Sequence, residues 1–189
     1  AYNIPTAGKR HPWLTLKLMH FVYSNDKTIP INYGMFEHVT VEAPSGTVVN
    51  PEPPAAVGIR SATAIRLNEA IVGALNKARP DLMPAPSGGV VIPSVLVEQE
   101  PSTGRRKVMV LQTLVGGTGA RFGSDGVDGR DSSLANQRNT PMEKTEEEAE
   151  AIVVDYALRV DSGGAGKWRG GTGVVFSVRI AQPGSAVLG

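Results

Sequence analysis

The sequence of 189 residues has no cysteine, which excludes disulfides and thiolate catalysis and agrees with a cytoplasmic location. Aromatic residues make up only 5%, so aliphatic side chains must build the core. There is no excess of one charge: 19 Lys and Arg stand against 18 Asp and Glu, the formal net charge is +1, and no basic block occurs. That argues against nucleic acid or an anionic membrane surface as the main partner. No apolar run approaches the roughly 18 residues of a membrane span, and no signal-peptide pattern opens the chain. His11 and His20 are isolated, with no second histidine or carboxylate at ligand spacing, and His38 reads as a solvated strand position. A Ser-His-Asp arrangement and a metal cluster are both missing, so the residues alone do not identify an enzyme.

What the chain does have is glycine and proline, 22 and 14 residues, clustered between periodic segments and therefore read as loops of a folded chain. Trp13–Tyr23 carries Leu14, Leu18, Phe21 and Val22 at helical spacing, with Lys17 opposite. Phe36–Glu42 reads as a short strand, and Pro44-Ser45-Gly46-Thr47 as a turn. The spacing predicts a long helix over 61–79: Ser61 is a good N-cap, Ala64, Leu67, Ile71, Leu75 and Ala78 form a stripe widened by Ile65 and Val72, and Pro80 stops it. Arg66, Glu69, Asn76 and Lys77 fall outside that stripe, which is expected to dock on a sheet. Val90–Glu98 and Arg105–Leu114 read as paired strands, apolar on both faces and so central or covered. The acidic run Met142–Glu150 fits a helical turn or an exposed strand. Ile152–Val160 and Val174–Ile180 alternate as strands with one buried face, Ile152, Val154, Tyr156, Leu158 and Val160 forming one set. The expected fold is α+β, a mixed or antiparallel sheet with one long packed helix, a shorter N-terminal helix and two long glycine-rich loops. The expected organisation is an N-terminal extension (1–30), a main domain (31–182) and a tail (183–189).

The first of the two loops, 116–139, carries Asp125, Asp128 and Asp131 at steps of three, which does not fit a calcium loop. Arg121, Arg130 and Arg138 are available to pair with them. The second, Asp161–Gly173, spells DSGGAGKWRGGTG. It lacks the Gly-x4-Gly-Lys-Ser/Thr of a phosphate loop, because Asp161 and Trp168 occupy the required positions. Glycine at this density suits a shaped loop that packs closely on another loop, a neighbouring subunit or a ligand. Asp161, Gly163, Gly164, Gly166, Trp168, Arg169, Gly170 and Gly171 are the residues expected at such a contact.

The order of motifs resembles the hydantoinase B/oxoprolinase family. It runs through Asn32-Tyr33-Gly34-Met35-Phe36-Glu37-His38, Pro44-Ser45-Gly46-Thr47-Val48-Val49-Asn50-Pro51 and Pro54-Ala55-Ala56-Val57. Gly116-Gly117-Thr118-Gly119-Ala120-Arg121, Asp125-Gly126, Asn136 and Arg138-Asn139-Thr140-Pro141 follow, and Asp161-Ser162-Gly163-Gly164-Ala165-Gly166 and Arg169-Gly170-Gly171 close the series. The resemblance covers most of the chain and only the C-terminal third or so of the usual family member. It implies a portion or split subunit of an ATP-dependent enzyme that opens a cyclic amide such as hydantoin, 5-oxoproline or a lactam. It implies further that ATP and magnesium are bound by a hydantoinase A-like partner, and that a divalent metal belongs to an N-terminal hydantoinase B-like piece. This chain itself is expected to bind no cofactor. Within that reading, Arg121 and Asn139 are the expected donors to the substrate oxygen, and Asp125 would orient an arginine or a water. Subunits of acetone- and acetophenone-type carboxylases are related, so an ATP-dependent ketone carboxylase stays open, as does a purely structural assembly module. The sequence departs from the family where Val90-Val91-Ile92-Pro93 follows Gly89 and in the acidic run Glu146–Glu150.

Overall fold

The computed structural model describes residues 12–32, 34, 39–56, 58, 60–89, 93–135, 137–181 and 186–188. The fold is α+β: helices α1 (Pro12–Asn25), α2 (Arg60–Ala78) and α3 (Met142–Glu148), and strands β1 (Pro93–Gln99), β2 (Arg106–Thr113), β3 (Ala151–Leu158), β4 (Val174–Ile180) and β5 (Ala186–Leu188). They fall in two compact units, one of residues 1–86 with 121–123, the other of 87–120 with 124–189. Within the first unit α1 packs on α2.

In the first unit, α1 opens on Pro12, whose fixed φ suits a first helical position. It closes where Asp26 turns its carboxylate onto the Thr28 N–H at 2.8 Å. The buried centre of α2 is Ala64, Ile65, Asn68, Glu69 and Val72, while Leu67, Ile71 and Leu75 are half-buried. The buried face is thus rotated from the expected stripe and includes Glu69, and Lys17 of α1 is buried as well, not on an outer face. Burial pushes the Lys17 ammonium below its ordinary value, and the Glu69 charge acts in the opposite direction. Opposite charges buried at one helix–helix contact explain why two residues read as solvated lie inside. The partner of α2 within this unit is α1, not the expected sheet. The turn at 44–47 forms as expected, with Gly46 at φ 77° and its N–H on the Asn50 carbonyl at 3.0 Å. The strand expected at 36–42 lies outside the described residues over 36–38, and 39–42 runs in no regular element.

In the second unit β1 is the middle strand of the order β2-β1-β5, all antiparallel, and β3 pairs with β4 as an antiparallel ribbon. The tail expected at 183–189 is partly strand: Ala186, Val187 and Leu188 form β5, in register with Val97, Leu96 and Val95. Residues 90–92, expected in β1, lie outside the described residues. The acidic run resolves into the helical alternative, α3, which leads directly into β3. Leu96, Leu111, Ala149 and Ala151 form the buried core, with Met109, Val178 and Ile180 packed against it. Glu98 is buried too, and its carboxylate accepts the Glu150 N–H at 3.1 Å, tying β1 to the start of β3.

Two strand expectations are corrected. β1 is central as expected, whereas β2 is an edge strand, and its Val108 and Val110 are 62% and 69% exposed. On β3, Ile152, Val154 and Leu158 are exposed, whereas Ala151 is buried and Val153 and Tyr156 are half-buried. The register shifts between Val153 and Asp155, and a bulge of this kind breaks strict alternation along the strand. After the bulge Tyr156 meets Phe176 edge-on, with ring centroids 5.5 Å apart.

Candidate functional site

The two glycine-rich loops of the second unit pack on each other. Gly171 N–H donates to the Thr118 carbonyl at 2.9 Å, and Thr118 N–H to the Val127 carbonyl at 3.0 Å. Gly126 N–H reaches the Arg169 carbonyl at 2.7 Å, and Gly129 N–H the Thr172 carbonyl at 2.8 Å. Gly88 N–H joins the same crossing through the Gly117 carbonyl at 2.8 Å. The backbones come so close that a Cβ on Gly117 would run into the Gly171 carbonyl, and one on Gly171 into the Val127 carbonyl. Only glycine permits that approach.

Side chains complete the joint. Asp125 Oδ1 accepts the Arg169 N–H at 2.7 Å. Asp128 Oδ1 accepts the Thr172 N–H at 2.7 Å and an Arg169 Nη2–H at 3.0 Å. The Thr172 N–H, followed by the Arg169 guanidinium, holds the Asp128 carboxyl below its ordinary value. Asp131 is buried and takes two backbone donors, Ser132 N–H on Oδ1 at 2.6 Å and Gln137 N–H on Oδ2 at 2.7 Å. The expected pairing of these aspartates with Arg121, Arg130 and Arg138 is thus replaced. Asp128 draws its arginine from the other loop, and Asp125 and Asp131 accept backbone donors.

The residues expected at a loop contact have these places. Arg169 is the central connector. A Cβ on Gly163 would meet the Gly170 carbonyl, and Gly170 N–H donates to the Gly164 carbonyl at 2.8 Å, so these glycines brace the second loop internally. Around Gly166, the Trp168 carbonyl lies 3.0 Å from where a Cβ would stand. Asp161 takes φ 57°, a left-handed turn that aspartate tolerates. Trp168 is half-buried, and Lys167 Nζ lies 4.9 Å from its ring centroid. Of the three substrate-oxygen candidates, Asp125 is drawn into the joint, while Arg121 and Asn139 are exposed. Asp128 and Asp131 were legible as a spaced series, but nothing local identifies their partners.

A cavity of about 300 Å³ opens beside this joint, lined by Thr118, Arg130, Asp131, Ser132 and Ser133. A second, of about 460 Å³, is lined by Glu98, Glu100, Arg105, Arg106, Lys107 and Glu150. Among the described residues, no group of three or more His, Asp or Glu is arranged to hold a metal ion. No helix among the described residues is long and apolar enough to cross a membrane.

The architecture is thus that of an antiparallel α+β chain organised on a glycine crossing, with its polar cavity in the crossing loop. The chain belongs to the hydantoinase B/oxoprolinase family, whose sequence profile matches residues 2–188. It is 39% identical over 150 residues to an uncharacterised protein of Methanocaldococcus jannaschii, covering 79% of this chain and 25% of that protein. It is 31% identical over 176 residues to the B-type subunit of a putative D-/L-hydantoinase from a Pseudomonas strain, covering 92% and 28%. A 5-oxoprolinase of Pestalotiopsis fici is 30% identical over 169 residues, covering 84% and 12%. The chain spans only a minor part of the length of each.

Proposed function

We propose that this chain is the C-terminal portion, or a split subunit, of an ATP-dependent enzyme that hydrolyses a cyclic amide of the hydantoin, 5-oxoproline or lactam kind. The observation that carries the reading is the family match across nearly the whole chain, with relatives that include a B-type hydantoinase chain and a 5-oxoprolinase. In this reading ATP is used on a hydantoinase A-like partner, a divalent metal belongs to an N-terminal hydantoinase B-like piece, and this chain shapes the substrate cavity. Fixed donors lower the barrier where charge develops on the substrate oxygen. Exposed Arg121 and Asn139 fill that role; Asp125 is engaged by the backbone N–H of Arg169, whose guanidinium is held by Asp128.

The test is reconstitution with a hydantoinase A-like chain and the N-terminal piece, identified by native mass spectrometry of the protein from its source. ATP-dependent ring opening of hydantoin or 5-oxoproline is expected. Arg121→Ala should lower kcat of the assembled enzyme by about 10²-fold with the complex intact; unchanged kinetics removes Arg121 from that role. ATP turnover that requires bicarbonate and a ketone would replace hydrolysis by carboxylation.

The exposed apolar residues of β2 and β3 favour a second duty, assembly. If Trp168→Ala dissolves the complex while Arg121→Ala leaves turnover intact, the chain is a structural module of the enzyme.

A further inference from the structure

The geometry points to the cavity lined by Thr118, Arg130, Asp131, Ser132 and Ser133 as a binding site for the ring-locked cis-amide edge of a small neutral heterocycle. This rests on reading the assembly as a cyclic-amide hydrolase, and it gives the carbonyl of the bound ring to Arg130 as an alternative to Arg121 and Asn139. The volume, about 300 Å³, lies at the small end of ligand pockets. Two of the lining side chains are built in: Asp131 is 5% and Ser132 4% exposed.

The donor and acceptor inventory is what selects the ligand. Each oxygen of the Asp131 carboxylate accepts one backbone N–H, and a carboxylate oxygen has room for two, so each keeps an acceptor site. Ser132 Oγ accepts Ala135 N–H at 3.4 Å and Thr118 Oγ1 accepts Val127 N–H at 2.8 Å, and both hydroxyls keep a proton to donate. Arg130 contributes guanidinium donors, and Asp128, two residues away, is already paired with Arg169. The cavity therefore offers one positive and one negative side chain together with hydroxyl donors. That combination favours a neutral ligand presenting an N–H and a carbonyl side by side over an anion or a cation. An open-chain secondary amide is trans and points the two groups in opposite directions. A five- or six-membered lactam, imide or hydantoin holds them on one edge. Asp131 accepts the ring N–H, and Arg130 with a hydroxyl donates to the ring carbonyl.

The probes are 2-pyrrolidinone, its N–H-to-O isostere γ-butyrolactone, and N-methylacetamide, titrated into the ¹⁵N-labelled 189-residue chain and followed by amide shifts. The expected result is that 2-pyrrolidinone moves the amides of residues 118 and 130–133. The lactone and the trans amide should each bind at least about tenfold more weakly, because each leaves a buried group unpaired. Arg130→Gln should weaken 2-pyrrolidinone about tenfold with the other shifts retained, and should raise KM for the ring, not for ATP, in the assembled enzyme. Asp131→Asn should abolish the preference for lactam over lactone; because it also alters buried backbone bonds, the ligand-side comparison in the unmodified protein stands as the independent measurement. Equal affinity for lactam and lactone, shifts mapping elsewhere, or no shift up to the solubility limit would each overturn the site. Ring opening by the assembled enzyme without shifts here removes the pocket and leaves the functional reading. Shifts here with an assembly inactive on cyclic amides do the reverse.

Discussion

Asp128 shows how much one side chain does at the loop crossing. It binds Thr172 N–H and the Arg169 side chain, and so joins residues 41 and 44 positions away. Its folded-state value lies below the ordinary 3.8, so the carboxylate contributes stability above the unfolded value and loses it as pH falls through the folded value. Asp128→Asn should therefore lower the urea midpoint by a constant amount from pH 7 down to about 5, and the gap to wild type should close below about pH 4. Midpoints measured across that range check it, and a gap independent of pH would show that the charge is immaterial. The sequence singled out Arg169 for its glycine neighbours and Asp128 for its spacing, yet did not pair them. Long-range pairing is a property of the folded loops and leaves no local pattern. Lys17 and Glu69 escaped for the opposite reason: a charged residue off an apolar stripe reads as solvated, and only the second helix supplies the opposite charge that lets both be buried.

At the scale of elements, helices and most strands were legible because aliphatic periodicity and the stops at Pro80 and Gly104 are local signals. What escaped was whatever a partner strand decides. β5 is three residues long and exists through its pairing with β1, and the bulge in β3 reverses which side chains face inward. The loops behave alike: glycine density announced close packing without naming the partner, which proves to be the other loop. The two kinds of glycine separate by experiment. Gly171→Ala places a methyl against the Val127 carbonyl, whereas a Cβ on Gly164 meets nothing within 4 Å. Gly171→Ala should cost about 3 kcal/mol or prevent folding, and Gly164→Ala should stay within about 1 kcal/mol of wild type. Denaturant unfolding of both variants checks this; equal costs would mean that the crossing opens without penalty.

For the molecule as a whole, strands β2 and β3 carry exposed apolar residues. Strand β2 is an edge, and Val108 and Val110 stand exposed on it; on β3, Ile152 and Val154 are more than half exposed. An apolar edge strand is a template for pairing with another chain, and natural sheets guard such edges with charge, bulges or cover. Arg106 and Lys107 guard one end of β2, while its middle is valine and methionine. The 189-residue chain on its own should self-associate through this edge. Val110→Lys puts a charge at the middle of the edge, on a side chain already 69% exposed, so it should spare the fold and shift the chain toward monomer. Sedimentation velocity over a concentration series compares the two: an unmodified chain that stays monomeric at high concentration would show that the edge is harmless as it stands, and an associated Val110→Lys would place the contact elsewhere on the surface.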